Sequence, residues 1–185
     1  AEVRAKAEQL LAQVKADPKP FSPDDDGIDD EVTIAIAVED QSPIKEWNLE
    51  IIDPQGAHFV TFSGTGTPTS RIVWNGHSDT GELVQAAMDY NAVLTVTDNL
   101  GNKGVYKEVL PVDVLVLRDG NDLRIRIPGI SFPANSPDLN SKDLKPEQLA
   151  QNAKTLDRLA EILRKYGSYQ IVVEGHANIT KYWSA

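Results

Sequence analysis

The densest chemistry in the sequence lies in one short run, Phe21-Ser22-Pro23-Asp24-Asp25-Asp26-Gly27-Ile28-Asp29-Asp30. Five carboxylates fall within seven residues. Like charges so close repel one another, and a cation among them relieves the repulsion. In the register of an EF-hand loop, Ser22, Asp24, Asp26 and Asp30 take positions 1, 3, 5 and 9, with Gly27 at 6 and the Ile28 carbonyl at 7. Position 1 is Ser rather than Asp, and position 12 is Thr33, so the bidentate carboxylate of such loops is missing. If the loop takes a cation, calcium is the one that Asp24, Asp26, Ile28 and Asp30 would hold. The plainer alternative is a solvated acidic turn whose Asp side chains cap local amides.

The remaining reactive residue types do not converge. His58, His77 and His176 lie in separate segments, with no second ligand at helical spacing for zinc. His77-Ser78-Asp79 is contiguous, whereas a catalytic triad is assembled in space from distant parts of a chain. Gly64-Thr65-Gly66 is followed by neither a helix nor a Lys, so it does not read as a phosphate loop. Trp47 and Trp74 read as core anchors. Arg124 and Arg126 read as charges that protect an edge strand from aggregation. With no cysteine, thiol catalysis, Cys-ligated zinc and disulfides are excluded. No enzyme is expected.

These residues sit in a chain of 185 residues with a formal net charge of −10, 41% hydrophobic residues and a mean hydropathy of −0.33. That composition supports a folded core. The acidic balance argues against a nucleic-acid partner, which requires a basic face. No apolar run approaches the ~20 residues of a membrane span, and the charged start (Glu2, Arg4, Lys6, Glu8) is no signal peptide. The charge is uneven: neutral over residues 1–17, net −12 over 18–117 and net +2 over 118–185. Such a shift suggests modules with different surfaces.

Three segments follow. Val3, Ala7, Leu10, Leu11 and Val14 share one stripe, which predicts a helix over 2–16, ended by Asp17-Pro18-Lys19-Pro20. Residues 18–117 carry seven short β-rich runs: 32–38, 47–52, 58–62, 71–74, 92–97, 104–109 and 112–117. Turn residues such as Asp53-Pro54-Gln55-Gly56 and Asp98-Asn99-Leu100-Gly101-Asn102 separate them. This spacing predicts an immunoglobulin-like β-sandwich. Residues 118–185 read as β-α-β. A one-face strand carries Leu123, Ile125 and Ile127. A helix starts at Pro146 with an apolar stripe Leu149, Ala153, Leu156, Leu159, Ala160 and Leu163. A second strand is Tyr169-Gln170-Ile171-Val172-Val173-Glu174. The fold class is thus mainly β with an α+β end.

Two stretches carry family resemblances. The opening run 21–30, with Trp47, Asp53…Gly56, Trp74-Asn75-Gly76, Gly81, Tyr90 and Asp98…Gly101-Asn102, resembles Ig-like modules of flagellar hook-capping and gliding-motility surface proteins. That resemblance implies a structural or adhesive spacer. Ile130-Ser131-Phe132, Asn135-Ser136, the long helix and Tyr169 to Asn178 resemble the start of the OmpA C-terminal, peptidoglycan-binding domain. Its V-x-G-H-T-D strand end stands here as Val173-Glu174-Gly175-His176-Ala177-Asn178. In that family the Asp grips the ammonium of a diaminopimelate residue, and an Arg on the next helix grips a carboxylate. Here Asn178 replaces the Asp and Ala177 the Thr, and no motif Arg follows before Ala185. An amide gives up the Coulomb attraction and offers donors where only acceptors are wanted.

The resemblances imply a non-catalytic structural protein of the bacterial periplasm or cell envelope, outer membrane included. Its peptidoglycan site at Gly175, His176, Ala177 and Asn178 would be degenerate. The alternative is a peptidoglycan anchor whose complete domain extends beyond this sequence. Expected partners are other envelope proteins, peptidoglycan weakly if at all, and a second copy paired through an exposed sheet edge.

Overall fold

Alternation of apolar and polar residues builds the strands, and their inward halves make the core. The computed structural model describes residues 10–125, 127 and 130–174. Its sandwich strands are β1 (Leu11–Asp17), β2 (Val32–Glu39), β3 (Ile44–Ile52), β4 (His58–Thr65), β5 (Arg71–Trp74), β6 (Asp89–Asp98) and β7 (Lys103–Pro111). Val32, Ile34 and Ile36 of β2 face Leu49 and Ile51 of β3 and Tyr90, Ala92, Leu94 and Val96 of β6, all at most 5% exposed. One sheet has the order β1-β2-β5 and the other β4-β3-β6-β7, with antiparallel pairing throughout. Lettered A, B, C, C′, E, F and G in chain order, these are the sheets ABE and C′CFG of an Ig-like Greek key. Tyr90, at the start of the F strand, adds the corner expected of that topology: its hydroxyl accepts a hydrogen bond from the Gln85 amide at 3.1 Å.

An aromatic cluster fills one end of the sandwich. Trp74 lies with its ring centroid 5.4 Å from Phe21, 6.1 Å from Phe59 and 6.2 Å from Tyr90. Its indole N–H donates to the His77 carbonyl at 2.9 Å. Trp47 covers the other end, and Gly64 makes room for it: a Cβ there would stand 2.9 Å from the indole.

Within the sandwich region, one helix and one strand assignment from sequence need correction. Residues 11–17 form β1 rather than the predicted helix; residues 2–9 of that reading lie outside the described residues. A lone amphipathic segment gains little as a helix in water. Paired with β2 from Leu11↔Glu39 to Asp17↔Thr33, it instead gains a full ladder and buries Val14. β1 also meets β7, where the Tyr106 hydroxyl donates to the Leu10 carbonyl at 2.7 Å and Glu108 takes the Ala16 amide and the Lys19 ammonium. Residues 112–117 do not close the sandwich as the seventh strand. Val112 makes only an isolated bridge to Phe21, and Val114 and Leu115 are buried without strand pairing.

The C-terminal part starts with a hairpin of β8 (Val116–Asp119) and β9 (Asp122–Ile125). Helix α1 (Pro146–Lys165) begins as predicted, with Pro146 in its first turn and the Lys145 amide bonded to Gln148 Oε1 at 3.0 Å. Residues 169–174 form no strand; Val172 and Val173 are 81% and 90% exposed. A β-branched run becomes a strand only when paired in a ladder, and no described strand pairs with residues 169–174. The β-α-β layer is therefore not formed there.

The face α1 buries is also different from the one its pattern suggested. Asn152, Thr155 and Ile162 are buried, while Leu149, Leu156, Leu159 and Leu163 are only half-buried. Asn152 exchanges two hydrogen bonds of 2.8 Å with the backbone of Ser131, and Gln151 donates to the Ala87 carbonyl at 3.1 Å. No helix among the described residues is long and apolar enough to cross a membrane.

Candidate functional site

The acidic run between β1 and β2 folds into a loop closed by the Ser22 amide on the Asp29 carbonyl at 2.7 Å. Asp25 and Asp29 adopt left-handed backbone (φ 62° and 56°), which Asp tolerates, and Gly27 does so at φ 87°. Asp30 organises the turn. Its Oδ1 accepts from the Asp24 and Asp25 amides (3.2 and 2.8 Å) and its Oδ2 from the Gly27 amide (2.8 Å). Asp26 Oδ1 accepts from the Ile28 amide at 2.8 Å, and the Ile28 side chain is exposed. Asp24 Oδ2 reaches across to the Val116 amide at 2.9 Å, tying the loop to the start of β8.

Of the residues expected to ligate a cation, the structure brings Asp24, Asp26 and Asp30 together, with one carboxylate oxygen of each within 4.8 Å of the others. Asp24 Oδ1 is buried and has no hydrogen-bond partner among the described residues. Burial first, and then the charges of Asp26 and Asp30, push the Asp24 carboxyl above the usual carboxylate range, against the opposing pull of the Val116 amide. In physical terms the loop holds a partly buried carboxylate that lacks positive charge. A hard, oxygen-seeking cation is the ligand such a donor set could hold.

Helix α1 supplies the other wall. The loop, residues 113–116 and the end of α1 enclose a cleft of about 160 Å³ whose charged lining includes Asp24, Asp26, Asp113, Arg158, Glu161 and Lys165. Arg158 grips the buried Asp113 in a fork, Nε at 2.8 and 2.9 Å and Nη2 at 2.5 Å from its carboxylate oxygens. Its Nη1 donates to Glu161 at 2.6 Å. Asp113, and then Glu161, raise the guanidinium pKa and hold it charged. The Lys165 ammonium stands 3.7 Å from Asp26. Neither the Arg158–Asp113 pair, 45 residues apart, nor the Lys165–Asp26 contact could be read from sequence spacing.

The other candidates separate. Gly175, His176, Ala177 and Asn178 lie outside the described residues, as does Trp183. His77 bonds within its own turn, to the Asn75 carbonyl at 3.2 Å. His58, not His77, meets Asp79. Ser78 Oγ is occupied by Thr80 and by the Thr80 and Glu82 amides. Arg124 pairs with Asp119 across the β8–β9 hairpin at 2.8 Å.

No protein-family model matches the sequence, and no curated relative matches it. Several solved structures are similar at a distance. The chain is similar to dimeric latent PorU from Porphyromonas gingivalis, with a TM-score of 0.43 and 18% identity over 57% of this chain and 9% of that one. It is similar to the PKD1 domain from Vibrio cholerae metalloprotease PrtV, with a TM-score of 0.34 and 17% identity over 58% of this chain and 98% of that one. It is also similar to FlgD from Xanthomonas campestris, described in connection with hook capping in flagellar assembly, with a TM-score of 0.31 and 20% identity over 51% and 67%. The chain thus spans about a tenth of the PorU chain and nearly all of the PKD1 domain. At these scores the Ig-like assignment rests on strand order and the Tyr90 corner rather than on any neighbour.

Proposed function

We propose that this chain is a non-catalytic structural part of a bacterial cell envelope: an Ig-like spacer carrying an OmpA-like C-terminal segment with a degenerate peptidoglycan site. The observation that carries the reading is the clasp in the cleft. Its strongest charges are spent on one another, Arg158 on Asp113 and Glu161, so they hold α1 against the sandwich. Groups saturated in this way serve a joint rather than a reaction. The OmpA-like part of the reading, and the periplasmic setting it implies, rest on the sequence resemblance and on Asn178 standing where an acid is needed.

Co-sedimentation with purified peptidoglycan, beside an Asn178→Asp variant, tests the proposal. The spacer reading predicts that the wild-type chain stays in the supernatant. Wild-type binding that free diaminopimelate abolishes would favour the anchor instead.

Within the same reading, calcium is the staple of the acidic loop, held by Asp24 Oδ1 with Asp26 and Asp30 beside it. At a calcium concentration ten times its Kd the stabilisation is about 1.4 kcal/mol, a rise of about 3–6 °C in Tm for a chain of this size. Asp24→Asn is expected to abolish that rise without lowering the calcium-free Tm, because the amide keeps an acceptor for Val116 and removes the repulsion. The sign with pH follows from the raised Asp24 pKa. Without calcium, this group's contribution to stability falls as pH climbs from the ordinary carboxylate range through the raised value. The calcium-induced rise shrinks as pH drops through that value, because protons and calcium compete for the same oxygens. Thermal melts with and without calcium at two pH values check both statements; a Tm indifferent to millimolar calcium would remove the staple.

A further inference from the structure

On the sandwich, away from the α1 cleft, the His58 imidazole at the start of β4 stands between two carboxylates from different parts of the chain. Its Nδ1 lies 3.1 Å from Glu50 Oε1 on β3, and its Nε2 lies 2.9 Å from Asp79 Oδ2 in the loop that follows β5. Carboxylates only accept, and a neutral imidazole carries a single N–H. The neutral ring can therefore serve one of these carboxylates and must turn a lone pair on the other. Only the imidazolium donates to both.

What the ring ties together is specific. The loop of residues 75–82 carries Asp79, and one backbone bond, from the Asp79 amide to the Phe59 carbonyl at 3.1 Å, joins it to β4 beside His58. Ring, loop and β6 surround a cleft of about 160 Å³ lined by Asp53, Phe59, Asp79, Glu82, Gln85 and Tyr90 among others. The titratable groups facing His58 are Glu50 from β3, Asp53 from the β3–β4 turn, Asp79 and Glu82 from the loop and the Tyr90 phenol from β6. Apart from the imidazolium, the cleft lining holds no positive side chain among the described residues.

We propose that His58 is a pH-operated clamp. As an imidazolium it pins the 75–82 loop to the β3–β4 edge and closes the cleft beneath; on losing a proton it releases one carboxylate and the loop loosens. Asp79 first, and then Glu50, raise the pKa of the ring above the ordinary histidine value of about 6.5. The sign follows from that direction. The clamp is complete below the ordinary value and is lost as pH rises through the raised one. The ring is about half exposed, at 49%, so solvent weakens each contact, and the clamp depends on both being made at once.

The test is NMR on the intact chain, following the His58 ring signals and the exchange protection of the Asp79 amide from pH 5 to 9. The clamp predicts that His58 titrates above the ordinary value and that Asp79 protection, corrected for intrinsic exchange, falls severalfold across that titration. His58→Gln should show the lower protection at every pH, with no titration step. Asp79→Asn should return the His58 pKa towards the ordinary value while the sandwich stays folded. A His58 ring that titrates at or below the ordinary value would overturn the clamp. So would a pH-dependent Asp79 protection that survives in His58→Gln, since another group would then be responsible.

Discussion

Trp74→Ala is expected to remove about 3–5 kcal/mol of stability, the usual cost of deleting a buried aromatic side chain. A domain of this kind holds about 5–15 kcal/mol in total, so the variant should sit near the edge of unfolding. The indole is 3% exposed and touches rings from three other segments: Phe21 before β2, Phe59 on β4 and Tyr90 on β6. Removing it opens a cavity where the two sheets meet and leaves the His77 carbonyl without its donor. Urea unfolding followed by circular dichroism measures the effect without depending on the lost fluorophore. Trp47→Ala is the comparison. That ring is only half-buried, beside Gly64, so its loss should cost clearly less. Equal costs would mean that the aromatic cluster is not the centre of the core.

Arg158→Ala is expected to free α1 while the sandwich stays folded. The substitution strips the buried Asp113 of three charge-assisted bonds and leaves it the Val114 amide at 2.8 Å. Hydrogen bonds to a charged group contribute about 1.5–3 kcal/mol. Arg158 is itself 46% exposed, so water takes back part of that, and a loss of about 2 kcal/mol is expected. The location of the loss matters more than its size. Hydrogen exchange should rise along 146–165 and stay unchanged in β2, β3 and β6. Glu161→Ala, which removes the exposed partner of the same guanidinium, should shift stability by less than about 0.5 kcal/mol. Arg158→Ala with α1 still protected would show that Asn152, Thr155 and Ile162 hold the helix without the clasp.

The central strands were legible because alternation and turn chemistry agree there. Val32 to Val38, Trp47 to Ile52 and Ala92 to Thr97 have their inward residues fixed by pairing. β1 was not legible, because Val3, Leu10, Leu11 and Val14 satisfy a helical stripe while Ala12, Val14 and Ala16 satisfy a strand. Small alanines fit both patterns, and only the ladder with β2 decides. α1 was legible in its start at Pro146 and in a stripe that runs through Leu163, but not in its orientation. The buried Asn152, the Gln151 amide and the Arg158-bound Asp113 depend on partners 21 to 64 residues away along the chain, which no periodicity reports. Residues 169–174 failed in the opposite sense: strong strand propensity with no strand paired to them among the described residues.

The acidic loop was the most readable part of the site because its residues are contiguous. Spacing gave Asp30 the part of a ligand, and the structure adds a second part that spacing does not show: both its oxygens accept amides of the loop. Asp24 emerges as the carboxylate with an unused buried oxygen. Its neighbours, the Val116 amide and the Lys165 side chain across the cleft, come from distant segments. Asp98 shows the structural use of an acid that sequence alone reads as a turn residue. Burial raises its pKa, but the Asn102 side chain and the amides of Asn102, Leu100 and Gly101 outweigh that and bring it below the usual range. The β6–β7 turn is therefore most secure above the ordinary carboxylate pKa and weakens as pH falls through the lowered one.

The central claim is that the Ig-like sandwich and the helix clasped to it act as one structural unit. Scanning calorimetry of the intact chain, with hydrogen exchange of α1 read in the same buffer, tests this most directly. The account predicts a single transition whose calorimetric and van't Hoff enthalpies agree, with α1 and the sandwich strands losing protection together. Two separated transitions, with α1 exchanging freely while β3 and β6 remain protected, would contradict it.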